Sequence, residues 1–214
     1  TIFIFLGGVS MKNRLHDKKA GIFILVSLII ISVAEVIYRA VIANGIAFTT
    51  SNFGEQLTVI IFALMILIFS AKGKDRVCYI LYGALIAYFV MDQAFELPGM
   101  VGDLVMNISA PGVANSIVLR LISMICIIAL SALLVEYMND GTICNKAFNG
   151  FSIAAVLMLA ISTIIDIYSS IITGDAHIVI SALDTISSIT MVFLCTFFAY
   201  DSAKAQLKKT NLTK

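Results

Sequence analysis

Among the charged residues inside or at the edge of the long apolar runs of this chain, seven stand out: Glu35, Arg39, Asp92, Glu96, Arg120, Asp166 and Asp184. Groups of this kind in an apolar setting can bind a polar or cationic solute, relay a proton, or pair with one another. Each sits on a polar stripe at helical spacing. Ser32, Glu35 and Arg39 follow i, i+3, i+7, and Tyr88, Asp92 and Glu96 follow i, i+4, i+8. Ser116, Arg120 and Ser123 line up in the same way, as do Ser162, Asp166 and Ser169, and Ser181, Asp184 and Ser188. Side chains at these separations share one helix face. Each stripe therefore predicts a helix that turns its charges toward a bundle axis and its Leu, Ile and Phe residues the other way.

Five acids stand against two arginines in this set, and the excess has to be met by protons, water or a bound cation. All seven are candidate substrate-binding residues. The competing structural reading is that Glu35 pairs with Arg39 along one helix, that Asp92 or Asp166 pairs with Arg120, and that serine faces hold helices together. Arg39 and Glu96 are also placed to reach an interface.

The elements that must position these groups follow from composition. Of 214 residues, 60% are apolar and 13% charged, against about 45–50% and about 25% in an ordinary soluble domain. A water-soluble fold and a disordered chain are both excluded. A net charge of +1 gives no reason to expect a nucleic-acid partner. The predicted fold is all-α: a polytopic membrane protein whose first partner is the lipid bilayer. Six apolar runs long enough to cross it lie at 21–43, 54–71, 77–97, 113–137, 147–172 and 178–200. Continuous apolar runs favour helices over barrel strands, which alternate on a period of two. The second run has no polar stripe between Gln56 and Lys72, which places it at the periphery.

Lys and Arg set the orientation. The segment before residue 21, the 72–76 loop, the 138–146 loop and the tail at 201–214 together hold twelve of the fourteen. The loops at 44–53, 98–112 and 173–177 hold none, and Arg39 and Arg120 complete the set. Basic loops remain cytoplasmic, so the expected topology is N-in/C-in, with residues 1–20 and 201–214 as cytoplasmic tails. Met11, followed by Lys12, Arg14, Lys18 and Lys19, has the look of a true start, which leaves 1–10 upstream of the natural protein. On this topology Glu35, Asp92, Arg120, Asp166 and Asp184 lie about 7–12 Å below the outer rim, above an apolar floor.

The 98–112 loop is bounded by Pro98 and Pro111 and carries apolar residues from Met100 to Met106. It is expected to lie over the pocket as a re-entrant or surface segment, with Gly99 and Gly102 as hinge candidates. Asn107-Ile108-Ser109 matches a glycosylation acceptor.

Enzyme signatures are missing. The two histidines, His16 and His177, fall on opposite sides of the membrane, and no zinc or phosphate-loop motif occurs. The cysteines match no metal spacing, and no cofactor is implied. Asp166 and Asp184, at equal depth on consecutive helices, are the only pairing with the makings of an aspartyl dyad. Cytoplasmic loops are too short for an ATPase domain. In helix number, length and topology the chain resembles the substrate-binding subunits of energy-coupling-factor vitamin transporters, although the paired-alanine face of their first helix is replaced here by Ala34 and Tyr38. That resemblance implies an outward solute pocket and a partner membrane or ATPase subunit. The expected function is binding of a polar or cationic solute in the membrane of a bacterial cell, as a transporter or its binding subunit. The alternative is a sensor, immunity or structural subunit whose charges are structural.

Overall fold

The computed structural model describes residues 18–42, 50–109, 111–139, 145–173 and 178–212, and all of its regular structure is helical. Six helices follow one another: α1 Lys18–Ile42, α2 Thr50–Ala71, α3 Asp75–Met106, α4 Pro111–Asn139, α5 Asn145–Thr173 and α6 Ile178–Leu212. Each contains a stretch long and apolar enough to cross a membrane. The start at Met11, the loops at 44–49, 140–144 and 174–177, both histidines and Cys144 lie outside the described residues.

Consecutive helices pack side by side. α6 returns to α1 and also touches α3 and α4, and α4 against α5 is the most extensive contact. One contiguous core runs through the bundle. Its members are Leu25 and Leu28 on α1, Ala63 and Ile66 on α2, Leu85 and Phe89 on α3, Ile127 and Leu130 on α4, Leu159 on α5, and Met191 and Leu194 on α6. Along the odd helices these residues precede the charged stripe, and along the even helices they follow it. Because chain direction alternates, core and stripe are segregated to opposite halves. Outward faces carry Phe23, Ile30, Ile61, Ile125, Ile153 and Ile164, all exposed, as expected for surfaces that meet hydrocarbon instead of water.

The apolar half is closed by aromatic packing. Tyr79 lies 4.5 Å from Phe198 between ring centroids, and Tyr82 lies 6.2 Å from Phe197. Gly21 makes this possible. A Cβ built there would stand 2.8 Å from the Tyr82 hydroxyl and 2.9 Å from Phe197, so α1 approaches α3 and α6 only because that position has no side chain. Overpacking of this kind costs about 1–3 kcal/mol, while alanine returns up to about 1 kcal/mol of helix propensity. Gly21→Ala is therefore expected to lower the thermal unfolding midpoint in detergent. Gly83→Ala, which meets nothing within 4 Å, is its control and should not.

Two expected boundaries are corrected. Pro98 does not end the third helix: α3 runs through it to Met106. A proline removes one backbone donor, and the helix continues on either side of that single gap in its ladder. Gly99 and Gly102 are then helical residues, not hinges, and the segment at 98–106 is a helical extension with Val105 and Met106 exposed. Only the short connection before Pro111 remains. Pro111 opens α4 as its first helical residue, where a missing N–H costs nothing. Asn107 terminates α3 by donating from its backbone N–H and from Nδ2 to the Asp103 carbonyl, at 3.0 and 2.8 Å. The second is the end of the last helix, expected at 200: α6 continues as helix to Leu212, past its apolar span, which ends at Asp201.

Candidate functional site

The charged half is built around two bonded groups. On α1, Glu35 is 1% exposed and accepts from Arg39 Nε at 2.8 Å, an i, i+4 pair within one helix. Its Oε1 also accepts from Gln56 Nε2 of α2 at 2.8 Å. Across α4 and α5, Arg120 Nη2 meets Asp166 Oδ2 at 2.6 Å, and the Ser116 hydroxyl donates to Asp166 Oδ1. Ser116 and Arg120 are one turn apart, so a single face of α4 holds both oxygens of one carboxylate. Nearby, Thr163 donates to the Leu159 carbonyl, and its hydroxyl lies 2.7 Å from that of Thr185, tying α5 to α6.

The remaining acids have no arginine in direct contact among the described residues. Asp92 lies in hydrogen-bonding range of Glu55 on α2 and of Gln93 on its own helix. Glu55 acts electrostatically on Asp92, Asp184, Glu96 and Glu35. Asp184 is the common member: Glu35, Glu55, Asp92 and Glu96 all feel its charge, while Arg39 and Arg120 act on it from beyond ion-pair contact. Glu96 is exposed, one turn beyond Asp92 on the same helix, and feels the charges of Asp92, Asp184 and Arg120. The cluster thus draws on all six helices and sets six carboxyl groups against two guanidinium groups.

All seven sequence-predicted residues join this network, but not as equals. Glu35 and Asp166 are tied off by Arg39 and Arg120, whereas Asp92, Asp184 and Glu96 are not. Asp166 and Asp184 do not form a dyad, because Arg120 and Ser116 already hold Asp166. The peripheral placement of the second helix needs correction. Among the described helices α2 packs chiefly on α1 and α3, yet it brings Glu55 and Gln56 into the cluster. The signal was the pair Glu55-Gln56 itself. Set against an expected helix start at 54, it reads as the edge of a loop, but α2 begins at Thr50 and carries both residues more than a turn inside. Gln93, 7% exposed, was overlooked because it adjoins Asp92 and falls off the Tyr88–Glu96 stripe.

A described cavity of about 540 Å³ lies elsewhere, between α1 and α6 in the apolar half, against Phe23, Ser27, Phe193 and Phe197. Among the described residues no group of three His, Cys, Asp or Glu side chains is arranged to hold a metal ion. The arrangement that defines this protein is a six-helix apolar bundle with an acid-rich cluster at one end. No protein-family model matches the chain, and neither the curated proteins nor the solved structures include a match to it.

Removing the Ser116 hydroxyl leaves Asp166 with Arg120 alone. Ser116→Ala is expected to cost about 1 kcal/mol, the ordinary worth of a hydrogen bond to a charged group between membrane helices. Thermal unfolding of the purified variant reads it directly.

Proposed function

We propose that the chain is a multi-pass protein of a bacterial cytoplasmic membrane, N-in/C-in, that binds a polar or cationic solute at its outer end for uptake, either alone or with a partner membrane or ATPase subunit. One observation carries this reading: Asp184 acts electrostatically on four other acids, Glu35, Glu55, Asp92 and Glu96, and among the described residues no arginine is in direct contact with it. A cluster with six carboxyl groups and two guanidinium groups in an apolar bundle favours a cation from outside. The basic loops at 72–76 and in the tail after residue 200 support the orientation. Thermal unfolding of the detergent-purified protein, screened against inorganic and organic cations, tests the binding. Saturable stabilisation by at least one cation is expected, and its absence across the screen refutes the reading.

The topology has its own test. In a background with Cys144 replaced, Ser109→Cys should react with a membrane-impermeant maleimide on intact cells. Lys74→Cys should react only after the cells are opened. The reverse pattern would invert the bundle and turn the cluster toward the cytoplasm.

A second reading is favoured by the two ion pairs. If Arg39–Glu35 and Arg120–Asp166 serve only to hold helices, the chain is a non-transporting partner such as a sensor, immunity or structural subunit. Cations then leave its unfolding unchanged.

A further inference from the structure

Gln56 supplies an observation that a cluster of acids does not. Its side chain is 5% exposed and its Nε2 donates to Glu35 at 2.8 Å. Its Oε1 is buried with no hydrogen-bond donor. Rotating the amide does not relieve this, since it would turn the oxygen against the Glu35 carboxylate. A buried carbonyl without a donor is costly, and because Oε1 shares its carbon with Nε2, which is bonded to Glu35, this acceptor stands beside the Glu35 carboxylate. Glu55 precedes it on the same helical turn.

We propose that the cluster takes an organic cation bearing N–H donors, a primary ammonium or a guanidinium group, which donates to Gln56 Oε1 and places its charge among Asp184, Asp92 and Glu55. The proposal rests on the reading that this end of the bundle binds a cationic solute, and narrows its chemistry. Calcium or magnesium requires several oxygens at about 2.0–2.6 Å from one point, and no three of the described acids are so arranged. A multi-atom cation instead reaches separate acceptors, each at about 2.7–2.9 Å, through separate N–H groups. It answers both the excess of carboxylates and the unsatisfied carbonyl, whereas a quaternary ammonium answers only the first.

The test is calorimetric binding to the full chain in detergent of 1,4-diaminobutane and of its fully N-methylated analogue, with sodium and calcium chloride alongside. The diamine should bind, and the methylated analogue should bind at least about tenfold more weakly, the effect of one lost charge-assisted hydrogen bond. Gln56→Met, which keeps the shape and removes one acceptor, should narrow that ratio by about tenfold, since the diamine then loses the bond that its analogue never makes. Equal binding of both amines to the wild type overturns the proposal, as does a ratio unaltered in Gln56→Met. If that variant does not fold, the wild-type ratio alone decides. Binding of sodium or calcium with neither amine overturns the proposal and leaves the cationic-solute reading standing. No binding by any probe overturns both.

Discussion

Arg39→Met should lower stability by about 3–5 kcal/mol, the largest single loss expected from a side chain in this cluster. Glu35 is buried at 1% exposure and accepts hydrogen bonds from Arg39 and the Gln56 amide. Taking away the guanidinium leaves an ionised or newly protonated carboxyl in an apolar bundle with one neutral donor and with Asp184 nearby. Breaking one side of a buried pair is far more costly than removing both sides. The double variant Glu35→Gln, Arg39→Met should therefore recover most of the loss. Detergent unfolding of the two single variants and the double completes the cycle. If the single Arg39→Met unfolds like the wild type, then Arg39 reaches solvent or lipid headgroups and the pair contributes little, as exposed pairs do.

Asp184→Asn should act in the opposite sense on the two observables. Replacing the central carboxylate by an amide of the same shape relieves its repulsion with Glu35, Glu55, Asp92 and Glu96, so the unliganded protein should unfold at the same temperature or higher. The same change removes a charge that acts on four of the other acids, and cation binding should weaken by about 10- to 100-fold, the range of a charge-assisted contact. Titration of variant and wild type with the same cation separates the two effects. A variant that loses stability and keeps its affinity would assign Asp184 to the scaffold and return the bundle to the sensor, immunity or structural reading.

The contrast between these two substitutions comes from pairing. Glu35 and Asp166 have each been given an arginine, and on helices they are expensive to disturb. Asp184 has not, and a cation can meet it without displacing an arginine. Both arginines nevertheless act on it, so their removal would alter binding as well as stability. Thr163 and Thr185 join α5 to α6 with no charge at stake, and removing their contact is expected to cost less than 1 kcal/mol.

Six helices, their approximate spans and the segregation of charge to one end were all legible in the residues. Period and length suffice for that: a run of about twenty apolar residues leaves the backbone no partner but itself, and i, i+4 spacing puts Ser116 beside Arg120 whatever lies across from them. The Glu35–Arg39 pair was legible for the same reason, being local to one helix.

Partner choice between helices was not. Spacing allowed Asp92 or Asp166 to take Arg120, and only the packing of α4 on α5 assigns it to Asp166, leaving Asp92 to Glu55. Glu55 and Gln56 entered the site because α2 starts at Thr50, several residues before its apolar run. Pro98 stayed helical because the surroundings, not the proline, decide whether a turn can unwind. Local chemistry is written along the chain within a turn or two, so the sequence determines which face of each helix is polar. Which charges meet across the bundle depends on helix rotation and register, set by shape fitting among many apolar side chains at once, and that was decided only in three dimensions.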